Sequence, residues 1–147
     1  MRKKIRRKKR GPVVSKKVTV DGIKFASGLE AYMYKALKKA NIKADYEKRT
    51  FEIWQGFWFP EKSYERQSNG KGDMVNRGDK KILGIKYTPD FEGKDFIIEC
   101  KGRPNETFPL RWKMFKKYVR ENLFGYTLYK PQKQSECDEV IKLIKNG

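Results

Sequence analysis

Between Tyr87 and Gly102 the chain reads Tyr-Thr-Pro-Asp-Phe-Glu-Gly-Lys-Asp-Phe-Ile-Ile-Glu-Cys-Lys-Gly, and no other segment constrains the fold as tightly. Two apolar runs flank a short polar stretch rich in turn formers, the pattern of a β-hairpin. A four-residue turn from Glu92 to Asp95 pairs Phe91 with Phe96 and Asp90 with Ile97. Side chains alternate faces along a strand, so Asp90, Ile97, Glu99 and Lys101 share one face. In that register Asp90 and Glu99 are diagonal neighbours, about 7–8 Å apart at Cα. The Cys100 side chain then points to the opposite face, into the core.

Two acids able to lean onto one hard cation, with a lysine beside them, suit metal-assisted phosphodiester chemistry. A solvated, charged hairpin face is the bland alternative. Three details favour the chemical reading. Glu99 and Lys101 interrupt the apolar strand Phe96-Ile97-Ile98, where unpaired charge is costly. Pro89 removes a ladder donor directly before Asp90 and so marks an edge or a distortion. Gly102, directly after Lys101, lets a ligand approach the backbone closely.

Charge carries the second argument. Thirty-six Lys and Arg face 18 Asp and Glu, a net +18. Residues 1–17 hold ten basic side chains and no acid, which leaves 26 against 18, or +8, for residues 18–147. A polyanion is the natural partner, with nucleic acid foremost. The arm (Arg6 and Arg7 among its cations) is expected to be disordered and to contact phosphates, with a targeting or solubility tail as the alternative. It lacks the aromatic or leucine face of a membrane-surface helix. No apolar run reaches the roughly 20 residues of a membrane span, and no apolar stretch follows the basic start. The expectation is a soluble, cytoplasmic protein without membrane partners. The chain contains no histidine and only two cysteines, Cys100 and Cys137, without CxxC spacing. That weighs against zinc and removes every scheme with a histidine base.

The remaining elements follow from periodicity. Val18 to Phe25 predicts a small hairpin around Asp21-Gly22. Ser27 and Glu30 have capping-box spacing for a helix from Gly28 to Ala40, with Leu29, Met33 and Leu37 recurring on one face. Tyr46 to Phe59 is strand-like. Glu61 to Lys81 reads as a long loop insertion with at most a weak hairpin. Thr107 is expected to cap a helix to about Asn122, with Leu110, Met114 and Tyr118 as its apolar stripe. Tyr126 to Tyr129 predicts a strand, and Ser135 and Asp138 are expected to cap a last helix. The order is α-β-β-β-α-β-α, within one domain over 18–147 behind the arm 1–17.

That order, with Pro89-Asp90 on one strand and Glu99-Cys100-Lys101 on the next, resembles the PD-(D/E)XK nuclease superfamily. Ser27-Gly28-Leu29-Glu30, Tyr87-Thr88-Pro89-Asp90-Phe91 and Glu99-Cys100-Lys101-Gly102 look especially like the phage endonuclease I family, whose members resolve branched DNA. The resemblance covers roughly Ala26 to Lys130. It implies an α/β fold with a restriction-endonuclease-like αβββαβ core and a mixed sheet, with an extra C-terminal helix. It further implies a Mg²⁺- or Mn²⁺-dependent DNA endonuclease, selective for branched substrates such as four-way (Holliday) junctions. Asp90, Glu99 and the Cys100 backbone carbonyl would hold the ion. Lys101 would orient the attacking water, and Glu30 would reach a second metal or its waters. For Glu30, helix capping alone is the alternative. Arg103, Arg111, Lys113, Lys116 and Lys117 are candidate phosphate contacts, against a merely solvated helix face. A homodimer acting in a bacterial host cell is implied as well. The 61–81 insertion has no counterpart in that family, which puts a strand-exchanged dimer in doubt. Two other readings stay open: a non-catalytic nucleic-acid-binding or virion protein on the same fold, and a restriction- or nicking-type nuclease.

Overall fold

The computed structural model describes residues 15–147. Arg6, Arg7 and most of the basic arm lie outside the described residues. Among the described residues, twelve short strands and three helices form a mixed α/β fold with several small sheets, the largest of them mixed. The chain opens with the hairpin β1 (Val18–Val20) and β2 (Ile23–Phe25), turned by Asp21 and Gly22, both at positive φ. That pair of left-handed residues is the turn whose twist matches a two-residue hairpin.

Helix α1 (Gly28–Lys39) begins at Ser27, whose hydroxyl oxygen accepts the Glu30 N–H at 3.2 Å. It ends where Asn41 turns left-handed at φ 56°. Strand β3 (Asp45–Tyr46) follows and joins the four-stranded sheet, whose order is β12-β11-β10-β3. Its other members are β10 (Phe91–Glu92), β11 (Phe96–Ile98) and β12 (Thr127–Tyr129). β10 runs antiparallel to both β3 and β11, while β12 runs parallel to β11. A parallel neighbour requires a crossover, and helix α2 (Phe108–Asn122) supplies it.

Helices cover both faces of this sheet. Phe91, Phe96, Ile98 and Cys100 pack with α1 and with α3 (Gln134–Asn146), whose Cys137 and Val140 are buried among them. Ile97 faces the other way, into a cluster with Phe108, Trp112, Phe115 and Val119 of α2. The alternation expected along Phe96 to Lys101 is therefore present, and Cys100 lies in the core beside the buried, free Cys137.

Several expectations need correction. The hairpin register is Phe91 opposite Ile98 and Glu92 opposite Ile97, closed by Gly93 N–H to Phe96 O at 3.0 Å. The turn is thus Gly93 to Phe96, and Glu92 is a buried strand residue neutralised by Arg49 at 2.5 Å. The Phe96 ring lies over Gly93, where any Cβ would collide with it. On α2 the buried stripe is Phe108, Trp112, Phe115 and Val119, while Leu110 is exposed. These positions also recur at helical spacing, and their aromatic rings bury more area than the stripe expected from Leu110. Thr107 makes no capping bond; Asn105 Oδ1 accepts the Phe108 N–H at 2.9 Å instead. Helix α3 starts one residue before Ser135, so neither Ser135 nor Asp138 is its cap, and Lys133 holds that position without a side-chain bond.

The largest correction concerns residues 61–81, which are not an isolated loop. They are the outer part of a two-stranded antiparallel ribbon over residues 51–87. Strand β4 (Phe51–Trp54) pairs with β9 (Ile85–Tyr87), β5 (Phe57–Phe59) with β8 (Lys80–Ile82), and β6 (Tyr64–Glu65) with β7 (Val75–Asn76). Each ladder is two to four residues long, and the register slips between Glu52 and Trp54. Such short, bulged pieces leave no sustained period-two signal in the sequence.

Candidate functional site

The corrected register sharpens the carboxylate pair. The ladder ends at Phe91 opposite Ile98, and Asp90 and Glu99 are the next residues at that end of the two strands. A two-residue shift preserves every face, because the side-chain period is two. Asp90, Glu99 and Lys101 remain together.

Each acid is held by a specific donor. Asp90 Oδ2 accepts the Cys100 N–H at 2.7 Å, across the strand gap. Glu99 Oε2 accepts the Tyr87 hydroxyl at 2.6 Å. Glu30 enters from α1, where it takes the Tyr46 hydroxyl at 2.6 Å, the Ala26 N–H at 3.2 Å and the Ser27 hydroxyl at 3.0 Å. The capping box is therefore only half made: Ser27 caps, but Glu30 reaches Ala26 and Tyr46 rather than the Ser27 N–H. Lys101 Nζ stands 4.0 Å from Glu99 Oε1 and 4.7 Å from the centre of the Phe108 ring. The ring face of Phe108 attracts the ammonium and helps to steer it.

Glu30, Asp90, Glu99 and Lys101 line one cleft of about 400 Å³, joined by Lys86 and Arg111. The three acids are all buried. A larger concavity, about 490 Å³, lies at the C-terminal end of α1, but of its acids Glu92 is paired with Arg49 and Asp45 with Lys48, amid further lysines.

Burial pushes the Asp90 carboxyl up to about 8, and the charges of Glu99 and Glu30 push the same way; the Cys100 N–H and Lys101 oppose them. Burial likewise raises Glu99, against the Tyr87 hydrogen bond and Lys101. Tyr87 and Tyr46 are both raised, chiefly by burial, and so stay protonated as donors. The Cys100 thiol is raised first by its hydrogen bond with Cys137 and then by burial, so it is no nucleophile.

The donor set fits a hard divalent ion. Three crowded carboxylates whose charges oppose one another would be relieved by a cation, and all the donors are oxygen. The backbone adds one more donor. Glu99 N–H points to Tyr129 O, Cys100 N–H to Asp90 and Lys101 N–H to Pro131 O. In such an alternating extended segment a residue's N–H and C=O face the same side, so the Cys100 carbonyl faces Asp90. Among the described residues, no three His, Cys, Asp or Glu side chains close into a ready-made metal cage. Two carboxylates and a carbonyl leave the rest of the shell to water, which is how Mg²⁺ is usually held. Glu30 is brought to the cleft, but hydrogen bonds already occupy both of its oxygens.

Arg111 reaches the cleft and donates to the Lys86 carbonyl. Lys113, Lys116 and Lys117 are exposed on the outer side of α2, and Arg103 is exposed on the loop before it. Three contributors escaped the sequence reading: Tyr46, Tyr87 and Lys86. Tyr87 alone left a signal, since a tyrosine in a buried strand beside an acid needs a partner for its hydroxyl. Tyr46 and Lys86 are brought in only by the tertiary fold.

The family described as "Protein of unknown function (DUF1064)" matches residues 10–136. No curated protein and no solved structure matches the chain.

Proposed function

The chain belongs to the DUF1064 family, and we propose that it is a metal-dependent DNA endonuclease of the PD-(D/E)XK type. The observation that carries this reading is the gathering of buried Asp90 and Glu99 with Lys101 in one cleft beside a basic helix. The element order α1-β3-β10-β11-α2-β12 supports it, with three antiparallel strands and a fourth parallel to β11. So does a net charge of +18.

In this reading Asp90, Glu99 and the Cys100 carbonyl hold Mg²⁺ or Mn²⁺. The ion supplies Lewis-acid polarisation of the scissile phosphate and lowers the pKa of a water. Tyr87 holds Glu99 in its binding orientation, and the Cys100 N–H does the same for Asp90. Lys101 Nζ orients the attacking water and offsets the negative charge that grows on the phosphate. Water oxygen bonds to phosphorus, the bond from phosphorus to the leaving sugar oxygen breaks, the water proton passes to solvent, and the leaving oxygen takes a proton from solvent. Glu30, with its oxygens already engaged, acts on ordered water in the cleft rather than as a direct ligand. Arg111, Lys113 and Lys116 contact backbone phosphates and set the register of the duplex. Branched DNA is the proposed substrate.

A non-catalytic DNA-binding protein is the second reading, favoured by the hydrogen bonds that satisfy all three acids and by the lack of a closed cage among the described residues. One experiment separates the two. Purified chain is incubated with Mg²⁺ and matched linear, single-stranded, nicked and four-way DNA. Cleavage of the four-way substrate, lost in folded Asp90→Ala and Glu99→Gln, is expected. Binding without cleavage of any substrate would establish the second reading instead.

A further inference from the structure

The β-ribbon over residues 51–87 rises from the rim of the cleft. At its base Tyr87 donates to Glu99, and Lys86 lines the cleft wall. Helix α2 packs on β4, while among the described residues β5 to β8 pair only with each other. Exposed aromatic rings stand on both faces of this outer part, since Phe57 and Trp58 are successive residues of β5 and side chains alternate along a strand. A flat partner surface would cover only one of those faces, so each ring has to be accounted for by what surrounds it.

Trp58 is the telling one. It is 59% exposed, yet its Nε1–H donates to Asp79 Oδ1 at 3.1 Å. The backbone before β8 is shaped to hold that carboxylate. Asp79 is left-handed at φ 48°, and its N–H donates to Glu61 O at 3.1 Å. Gly78 lies so close to the same carbonyl that any Cβ would collide with it. An indole anchored by its polar edge has already lost much of its rotamer freedom, and it keeps an apolar ring face for a partner.

A cation stands beside it. In the β5–β8 ladder Trp58 lies opposite Lys81, and Phe59 opposite Lys80. Directly opposed residues share a face, so each face pairs an aromatic ring with a lysine. Both lysines are exposed, and among the described residues neither is in an ion pair. A ring for a base and an ammonium for its phosphate is the combination that binds single-stranded nucleic acid.

We infer that Trp58 and Lys81 form a site for an unpaired nucleobase and its flanking phosphate, on a DNA strand that leaves the cleft along the ribbon. Charge decides between this and a duplex contact. Residues 51–87 hold seven basic and five acidic side chains, close to balance, whereas α2 alone holds five basic and one acidic. Duplex binding is carried by cations in excess, which α2 has and the ribbon lacks, so stacking supplies the contact here. A base inside a duplex has both faces covered by its neighbours, so the indole selects strands where the helix is interrupted. The inference rests on DNA as the partner proposed above and not on cleavage.

Binding in EDTA, with the full chain, tests it. The two probes are a blunt duplex and the same duplex carrying a single-stranded overhang with 2-aminopurine. Wild type is expected to quench the 2-aminopurine and to bind the overhang DNA more tightly than the blunt one. Trp58→Ala should weaken overhang binding about 5- to 150-fold, the range for one base stack, and leave blunt-duplex binding unchanged. Its log–log salt slope should hold, because an indole neutralises no phosphate. Trp58→Phe, which keeps a ring, should recover part of the loss. Lys81→Ala should flatten the slope on the overhang by about 0.7. Overhang binding untouched by Trp58→Ala, an equal loss on both DNAs, or unquenched 2-aminopurine overturns the inference alone, and would leave the ring to a protein partner. A wild type that binds neither DNA overturns the proposed function and this inference together.

Discussion

Asp90 shows how one residue can be poorly suited to the fold and well suited to a site. Its ordinary carboxyl range is near 3.8, and the buried cleft pushes it to about 8. The folded state therefore binds this proton more tightly than the unfolded chain, and that contribution to stability is lost as pH climbs from 3.8 through 8. Replacing Asp90 with Asn keeps an acceptor for the Cys100 N–H and removes the charge. Without metal above pH 8, Asp90→Asn should melt higher than wild type, by about 2–8 °C for each kcal/mol relieved. Adding Mg²⁺ should raise the wild-type melting temperature and leave the variant unmoved, since only a bound ligand stabilises by mass action. An equal Mg²⁺ response in both proteins would remove Asp90 from the ion. Tyr87 acts one shell out. Its hydrogen bond lowers Glu99 against the pull of burial, so Tyr87→Phe should shift the acid limb of the cleavage pH profile upward. Turnover at neutral pH should drop roughly tenfold, the worth of about 1.4 kcal/mol, with recovery at higher pH. A uniform loss without a shift would reduce Tyr87 to packing.

At the scale of elements, α2 does two jobs on opposite sides. Phe108, Trp112, Phe115 and Val119 close the sheet, and Arg111, Lys113, Lys116, Lys117 and Arg120 are left outside. If those cations neutralise phosphates, replacing Lys113, Lys116 and Lys117 together with Ala should flatten the log–log salt dependence of duplex binding by about 0.9 per lost contact. Melting temperature should hold, because the three side chains are exposed. An unchanged slope would make this a solvated helix face. The hairpin β10–β11 shows how far element-level reading reaches. Its existence, its faces and its acids were legible from alternation alone. Its register was not, because Glu92-Gly93-Lys94-Asp95 admits more than one turn, and in the observed closure the Phe96 ring lies over Gly93, where only a glycine fits.

At the scale of the molecule, net charge and the placement of its parts dominate. Met1 to Arg10 contributes eight basic residues and no acid. Deleting it should weaken DNA binding at low salt and flatten the salt slope, with turnover at saturating DNA nearly unchanged, because the cleft is built from residues within 26–111. Loss of turnover in that deletion would tie the arm to the site itself. Among the described residues no helix is long and apolar enough to cross a membrane.

The sequence by itself determined the net charge of +18, the helix α1 with Ser27 at its cap, and the shared face of Asp90, Glu99 and Lys101. Those depend on charge count, local capping and a period of two, which need no distant neighbour. The tertiary structure alone decided that Tyr46 meets Glu30, that Glu30 joins Asp90 and Glu99 in one cleft, and that Arg111 reaches that cleft from α2. It also decided that residues 51–87 form one ribbon. These features join residues far apart in the chain through ladders too short or contacts too specific to leave a repeating pattern. Local periodicity cannot encode them, and only the packing of α1, the sheet and α2 brings them together.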